Sequence, residues 1–231
     1  MGLAHSPKIV TDGLVLCLDA ADIKSYPGSG TTWKDRSGSG NNGTLTNGPT
    51  FDSANGGSID FDGTNDISLT TSNLTITGDQ SIETFLKFNS LESFLQGLVS
   101  NHDYVNTSNF GVNQVQNDKI GISIGYTDGT REYNSKYSIA AVVTGRYYHI
   151  VMTFNLNANQ CKLYIDGVLD STFNLAKVVK YTSRPMVLAR WDYQYTHYYF
   201  DGNIASARYY SKALTADEVL QNYNATKSRF S

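Results

Sequence analysis

The sequence contains little of what marks several large classes of protein. Only four of its 21 acidic residues are glutamate (Glu83, Glu92, Glu132 and Glu218), and glutamate is the acid that suits helices. No stretch approaches the run of about 18 apolar residues that a membrane helix needs. With 18 basic residues against the 21 acids, there is no positive excess to bind nucleic acid. These shortages argue against a helix-rich chain and predict neither membrane insertion nor a nucleic-acid partner.

Cysteine and an export signal are lacking too. The two cysteines, Cys17 and Cys161, are too few for a disulfide framework, and both lie in apolar, strand-like runs. Two interpretations stay open for them: a pair of small buried thiols, or one cross-strand disulfide bond. The first residues, MGLAHSPKIVTDG, have neither the basic nor the hydrophobic region of a secretory signal peptide. We therefore expect synthesis in a cytoplasm without signal-directed export.

Aromatic residues and aspartate are abundant, and they are typical of strands and turns respectively. Phe, Trp and Tyr make up 12% of the chain, with 16 Tyr. Apolar runs recur between clusters of Gly, Asn and Asp. They predict strands at 13–20, 58–63, 66–71, 81–88, 96–102, 110–115, 119–126, 146–156, 160–170, 186–191 and 198–210. Asp166-Gly167 is the strongest hairpin signal, because a tight turn needs positive φ at both positions.

The pattern changes near the C-terminus, where helix signals replace strand signals. The segment Thr215-Ala-Asp-Glu218 is a capping box, in which the two side chains satisfy backbone N–H groups at the start of a helix. Leu214 and Val219 occupy the two positions of a hydrophobic staple around the same start. The spacing predicts a helix over 216–227.

That helix would have an apolar face made of Val219, Leu220 and Tyr223, which we expect to seal one edge or face of a sheet. Many strands and one terminal helix predict an all-β fold, a two-sheet antiparallel sandwich with one short C-terminal α-helix. At 231 residues the chain fits a single domain. We expect an N-terminal arm (1–11), the sandwich (12–211) and the capping helix (212–231), the last as part of the same domain.

Four segments, in this order, resemble laminin G-like, concanavalin A-like lectin-glucanase domains of the type found in bacteriophage structural proteins. They are 12–51, GGSIDFDGTND (56–66), YYHIVMTFNLNANQCKLYIDGVLD (147–170) and FDGNIASARYYSKALTADEVLQNYNATKSRF (200–230). Tyr148 stands where the family usually has Trp, which is a conservative exchange. The resemblance implies a jelly-roll sandwich and a place on a virion, as a capsid decoration, head fibre or tail component.

Sandwiches of this kind include glycoside hydrolases and polysaccharide lyases, so catalysis has to be considered. A hydrolase needs two carboxylates on one strand face, and the only such spacing in a strand-like context is Asp60 with Asp62, in the turn that the family uses structurally. A lyase-like group could be drawn from His197, Tyr198 and Arg190, but a tyrosine-rich loop produces such neighbours by chance. We expect a non-enzymatic protein with no catalytic residue and no required cofactor.

Calcium is the ion that the acidic loops would suit. Asp62, Asn65 and Asp66 in FDGTND, with Asp201 in the closing FDG, place hard oxygen atoms in tight loops. Ca²⁺ takes about six to eight such ligands, and the resemblance implies calcium in this region, because related domains often bind it there. Two interpretations remain open: a calcium site, or residues that only make the turns.

The most unusual segment is Trp191-Asp-Tyr-Gln-Tyr-Thr-His-Tyr-Tyr-Phe200, which is dense in aromatic rings. Flat rings with a polar edge stack on sugar faces, as in a lectin-like site. The candidate glycan- or partner-binding residues are Trp191, Tyr193, Tyr195, His197 and Tyr198. Contact with a neighbouring subunit and local packing beneath the loop are the open alternatives.

Three functions from different classes follow. The first is a structural protein of the virion surface that contacts other virion proteins or copies of itself, and cell-surface glycans. The second is a carbohydrate-binding module of a secreted or cell-surface protein, against which the missing signal peptide argues. The third is a glycan-cleaving enzyme, against which the missing carboxylate pair argues.

Overall fold

Two antiparallel sheets stacked face to face form the framework of the protein. The computed structural model describes residues 7–91, 95–103, 105–106, 108–132, 135–192 and 197–230. The strands of sheet A are β1 (Leu14–Asp19), β4 (Thr50–Asp52), β5 (Ser58–Asp62), β7 (Gln80–Phe88), β13 (Tyr147–Asn155), β14 (Gln160–Ile165), β15 (Val168–Asn174) and β17 (Asp201–Tyr210). Their order across the sheet is β15-β14-β13-β7-β17-β5-β4, and β1 also pairs with β17.

Sheet B covers the other side of the core. Its strands are β2 (Thr32–Trp33), β3 (Gly43–Thr46), β6 (Ile67–Thr70), β8 (Leu95–Ser100), β9 (Phe110–Val115), β10 (Lys119–Gly125), β11 (Arg131–Glu132), β12 (Tyr137–Ala141) and β16 (Val187–Leu188). They lie in the order β11-β10-β9-β8-β16-β6-β3-β2, with β12 paired to β10. The predicted all-β, two-sheet jelly-roll sandwich is therefore confirmed.

Large aromatic side chains fill the space between the sheets. Trp33, Phe61, Phe88 and Phe154 are fully buried there, and burial of such side chains is the main driving force for stacking two sheets. Tyr148 belongs to the same core and meets Phe88 edge-on, with ring centroids 6.2 Å apart. The exchange of the family's Trp for Tyr at this position thus keeps the aromatic packing.

Backbone conformation explains where the strands differ from prediction. Asp166 and Gly167 both have positive φ (52° and 80°), which confirms the predicted tight turn between β14 and β15. The predicted strand at 186–191 is reduced to Val187–Leu188, because Ala189 adopts φ of 66° and ends the extended backbone. Tyr198, with φ of 62°, likewise delays the start of the last strand to Asp201.

The C-terminal helix, α1 (Ala216–Thr226), begins as predicted. The Thr215 side chain accepts the backbone N–H of Glu218, the Glu218 side chain accepts that of Thr215, and both partners of the capping box are thus present. Leu214 and Val219, the staple residues, are buried in one cluster. Short 3₁₀ helices occur at Ala54–Gly56, Gln116–Asp118 and Lys227–Arg229. None of the described helices is long and apolar enough to span a membrane.

The predicted apolar face of α1 is wrong in one residue. Leu220 is 43% exposed, whereas the buried positions are Val219, Asn222 and Thr226. The difference arises because helical spacing from Val219 brings Asn222 and Thr226 to the sheet side and leaves Leu220 beside that face. Val219 packs in an apolar cluster with Val151 and Tyr164 of sheet A, and the amide of Asn222 adds a polar contact.

A buried charged network joins α1 to the outer face of sheet A. Glu83, from β7, pairs with Arg208 of the adjacent β17, and both side chains are nearly or fully excluded from water. His149 of β13 lies 3.1 Å from the same carboxylate, between His149 Nε2 and Glu83 Oε1. Asn222 Nδ2 donates to the second oxygen, Glu83 Oε2, at 2.7 Å. The amide of Asn222 therefore links the helix to an ion pair that lies within the sheet.

The electrostatics of this network favour the ionised carboxylate. Burial alone would raise the pKa of Glu83, but Arg208, His149 and Asn222 outweigh it and hold the pKa at about 2. The N-terminal arm joins the same network, because the backbone N–H of Val10 donates to Asn222 Oδ1 at 2.7 Å. One asparagine thus connects the arm, the helix and the sheet.

The two cysteines are free thiols and both are buried. Cys161 lies in the core between the sheets, and Cys17 lies on β1 beside Arg208. Burial raises the pKa of both thiols, so each behaves as a small apolar side chain. Of the two open interpretations, the buried-thiol one holds and the disulfide does not.

Candidate functional site

The aromatic segment that the sequence singles out begins inside the protein. Trp191 is 2% exposed, and its ring stacks on His102 with centroids 5.6 Å apart. Its Nε1–H donates to Ser123 Oγ at 2.8 Å. At Gly97 on β8, a Cβ atom would lie 1.8 Å from the backbone nitrogen of Trp191. Trp191 therefore anchors the segment to sheet B and presents no ring face to a sugar.

The other candidates of this segment fall into two groups. Tyr193 and Tyr195 lie outside the described residues. His197 is exposed, while Tyr198 is half-buried and meets Trp191 edge-on with centroids 5.6 Å apart. The structure thus brings Trp191 and Tyr198 together, and a stacking surface at the loop tip stays a prediction.

The acidic loop after β5 satisfies its own backbone. Asp62 Oδ1 accepts the N–H of Thr64 at 2.8 Å and that of Asn65 at 3.3 Å, and these bonds lower the pKa of Asp62. Asp66 Oδ2 accepts the N–H of Asp62 at 3.3 Å, and burial raises the pKa of Asp66. Asp201 stands opposite Asp62 in the register of β17 and β5. The four predicted residues therefore do gather at one end of sheet A.

Their arrangement is that of a turn. Two of the carboxylates are engaged by loop N–H groups, and the carbonyl of Asn65 accepts a hydrogen bond from Asn47 Nδ2 at 2.8 Å. Across the described ranges, no group of three or more His, Cys, Asp or Glu side chains is placed to hold a metal ion.

A groove of about 640 Å³ lies between the outer face of sheet A and the C-terminal helix. We call it the helix groove and define it by its four aromatic side chains, Phe85, Tyr147, Tyr223 and Phe230. The Phe230 ring stacks on Tyr147 at 4.2 Å and on Phe85 at 5.1 Å between centroids. Phe85 is buried and the other three are half-buried, so the groove has an aromatic floor with partly open rings.

Tertiary contacts hold these rings in place. Tyr147 donates its hydroxyl proton to Ser58 Oγ at 3.0 Å, and burial raises the pKa of Tyr147, which keeps that proton bound. Tyr223 lies on the β14–β15 turn, since a Cβ atom at Gly167 would approach its ring to 2.9 Å. The Tyr223 ring is parallel to Phe85 within 5°, with centroids 6.3 Å apart. Only glycine at the turn leaves space for this ring.

Charged groups surround the aromatic floor. The lining includes the cations Lys87, Arg146 and Lys227 and one carboxylate, Asp166. Asp166 forms an ion pair with Arg146, and its Oδ1 accepts the backbone N–H of His149 at 3.0 Å. Three positive charges against one negative charge leave the groove with an excess of two positive charges. The arrangement can bind a molecule that has an apolar face and a negative group.

The sequence did not single out the helix groove. Its residues come from five separate segments, around positions 55, 85–87, 145–147, 166 and 223–230, so no local motif joins them. Two signals were present without being connected: the Asp166-Gly167 turn and the placing of Tyr223 on the inward side of α1. Only the tertiary fold shows that they meet.

The comparisons with known proteins agree with this architecture. The family model described as the concanavalin A-like lectin/glucanases superfamily matches residues 61–220. No curated protein shows a significant match to the chain. The binding domain of Paraclostridial Mosquitocidal Protein 1 superposes with a TM-score of 0.71 at 16% identity, over 93% of this chain and 52% of that one.

Two further solved structures share the fold. The binding domain of botulinum neurotoxin DC in complex with SialylT has a TM-score of 0.71 at 13% identity, over 94% of this chain and 52% of that one. Trypanosoma rangeli sialidase, in complex with the inhibitor DANA, has a TM-score of 0.69 at 11% identity, over 99% of this chain and 36% of that one. The chain thus spans about half the length, or less, of these structures. By sequence and by fold, it belongs to the concanavalin A-like lectin/glucanase superfamily.

Proposed function

We propose that this chain is a non-enzymatic glycan-binding domain and that the helix groove is its binding site. The observation that carries the proposal is the groove itself, in which four aromatic side chains and three cations line about 640 Å³. That volume lies within the range of about 300–1,000 Å³ that is common for small-molecule sites. Aromatic rings bind the apolar face of a sugar, and charged rim groups fix its orientation.

The fold relatives support this class of ligand. The botulinum neurotoxin DC binding domain is recorded in complex with SialylT, and the sialidase with the inhibitor DANA. The two relatives are 13% and 11% identical to this chain, so none of their ligand-binding residues is assigned to it. The support they give is that glycan recognition recurs on this framework.

The described glutamates support a binding role over catalysis. A glycoside hydrolase needs a pair of acids that reach its substrate. Glu83 is inside the protein and engaged by Arg208, Glu132 forms an ion pair with Lys136, and Glu218 is engaged in the helix cap. Glu92 lies outside the described residues. Reducing-sugar release from a panel of polysaccharides would contradict the non-enzymatic part of the proposal.

A glycan array with three matched variants tests the proposal and locates the site. Phe230→Ala removes one of the four rings of the groove floor, and the double variant Tyr193→Ala/Tyr195→Ala alters the aromatic segment instead. Tyr137→Ala removes an exposed ring on β12 and serves as the control. We expect binding by the wild type and the control, and loss in Phe230→Ala. Loss in the double variant alone would move the site to the aromatic segment, and no bound glycan at all would refute the proposal.

The proposed binding needs no cofactor. We expect EDTA to leave glycan binding by the helix groove unchanged, because its charged groups are two lysines, an arginine and one paired aspartate. If EDTA abolished binding and Ca²⁺ restored it, calcium at Asp62, Asn65, Asp66 and Asp201 would become the better explanation.

We further propose a location on a virion surface, after synthesis in the host cytoplasm, with other virion proteins or further copies of this chain as partners. The similarity of residues 12–230 to domains of bacteriophage structural proteins supports this location. Purified particles from a producing culture should carry the chain in a fixed ratio to the capsid protein. Its absence from intact particles would favour the alternative, a carbohydrate-binding module of a secreted or cell-surface protein.

A further inference from the structure

Two lysines of the helix groove have no carboxylate partner among the described residues. Lys87, on β7, has its Nζ 5.6 Å from the centroid of the Tyr147 ring. Lys227, just after α1, has its Nζ 5.0 Å from the centroid of the Tyr223 ring. One lysine thus lies on the sheet wall and the other on the helix wall, each close to an aromatic face. Such cation–ring contacts position an ammonium group without neutralising it.

The other cations near the groove are already paired. Arg146 pairs with Asp166, and Arg229 donates to Asp19 Oδ1 at 2.9 Å. Lys87 and Lys227 therefore supply the excess of two positive charges in the groove. The chain as a whole has a formal net charge of −3, so this local excess is opposite in sign to the whole protein. A positive groove on an acidic protein selects a negative ligand against the general repulsion.

We propose that the ligand of the helix groove is a sugar that carries a carboxylate, bound with its carboxylate between Lys87 and Lys227 and its ring against Tyr223 and Phe230. This inference rests on the proposed glycan-binding function and makes it more specific. The aromatic floor favours a sugar acid over inorganic phosphate, which has no apolar face to bury. It favours a sugar acid over a flexible acidic peptide, because a pyranose ring is rigid and loses less entropy on binding.

Sugar carboxylates occur in two common forms, sialic acids and uronic acids, and the test separates them. Isothermal titration of the full chain compares sialyllactose with its methyl ester, and trigalacturonic acid with its methyl ester. Within each pair the saccharide skeleton is matched and the carboxylate charge is present in only one member. A triglutamate peptide serves as the acidic probe that is not a sugar.

Three variants accompany the wild type. Lys87→Gln and Lys227→Gln remove the two unpaired charges with little change of size, and Lys24→Gln removes an exposed lysine that does not line the groove. We expect at least one acidic saccharide to bind and its neutral counterpart to bind at least 10-fold more weakly. Each groove variant should lose about 10-fold in affinity, as expected for one charge-assisted hydrogen bond, while Lys24→Gln should match the wild type.

Several results would overturn the inference. Equal affinity for the acidic and neutral members of both pairs would refute it, but it would leave the broader glycan-binding function intact. Tighter binding of triglutamate than of either sugar acid would show that the ligand of the groove is an acidic peptide. Unchanged affinity in both lysine variants would place the acidic saccharide elsewhere on the protein. If neither acid binds while the array shows neutral glycans, the inference fails and the proposed function stands.

Discussion

Replacing Glu83 by glutamine would remove a negative charge from a place that water does not reach. Glutamine has nearly the same shape and keeps an oxygen that can accept from Asn222 Nδ2, so the helix contact survives in part. Arg208, however, is 2% exposed and loses its carboxylate partner. The variant Glu83→Gln therefore isolates the cost of one unpaired buried guanidinium.

Two routes to the magnitude agree. The pKa of Glu83 moves from its ordinary value of 4.5 to about 2, which corresponds to roughly 3 kcal/mol of stabilisation of the ionised form. Removing one partner of a buried ion pair typically costs about 3–5 kcal/mol. We therefore expect Glu83→Gln to lower the free energy of unfolding by about 3 kcal/mol. Arg208→Met should cost a similar amount, because it leaves the Glu83 carboxylate buried without its cation.

The assay is urea unfolding of the wild type, both single variants and the double variant Glu83→Gln/Arg208→Met. The double variant contains neither buried charge, so its loss should be smaller than the sum of the two single losses by about 2–3 kcal/mol. Additive losses would show that Glu83 and Arg208 are not energetically coupled. That result would refute the account of Glu83 and Arg208 as a stabilising buried ion pair.

The same network predicts a pH dependence with a definite sign. The pKa of Glu83 is lowered by folding, so its contribution is complete above pH 4.5, its ordinary value, and is lost as the pH falls toward about 2. The difference in unfolding free energy between the wild type and Glu83→Gln should therefore shrink over that interval. Denaturant unfolding at several pH values measures it, and a difference that does not change with pH would contradict the lowered pKa.

Three further substitutions test the fold around the two candidate sites. Gly167→Ala places a Cβ atom 2.9 Å from the Tyr223 ring at φ of 80°, so we expect the free energy of unfolding in urea to fall by about 1–2 kcal/mol and glycan binding to weaken. Unchanged glycan binding would show that the position of the Tyr223 ring does not matter for it. Gly97→Ala puts its Cβ atom 1.8 Å from the backbone of Trp191, so we expect the free energy of unfolding to fall by about 3 kcal/mol or more and the tryptophan emission to shift to the red. Gly129→Ala, with open space around it, is the control and should keep the emission of the wild type. Thr215→Ala removes the helix cap and should cost about 1 kcal/mol, and Thr215→Ser should restore most of it.

Local signals were sufficient for the parts of the fold that depend on neighbouring residues. The cap at Thr215 and Glu218 and the turn at Asp166-Gly167 each need only a few adjacent positions, and both occur as the sequence predicts. Strand β7 shows the limit. Its alternation separates an apolar from a mixed face, yet Glu83 and Phe85 on the mixed face are buried as well, because α1 covers them.

The candidate sites were harder to predict for the same reason. Trp191 had the residue type expected of a sugar platform, but Gly97 on a distant strand allows the backbone of Trp191 to lie directly on sheet B. Asn222 looked like a polar surface residue of a helix, and it is the contact that connects three segments of the chain. A side chain whose role is set by partners far away in sequence gives no periodic signal of its own.

The position of strand β17 has a consequence for how the protein is made. It is the last strand of the described residues, and yet it lies between β7 and β5 and also pairs with β1. During synthesis, the edges of β5 and β7 that pair with β17 therefore stay unpaired until Asp201–Tyr210 has left the ribosome. Long-range pairing of this kind slows folding and exposes edges that aggregate. We expect nascent chains that stop before Asp201 to depend on chaperones. We also expect slower synthesis to increase the yield of soluble protein.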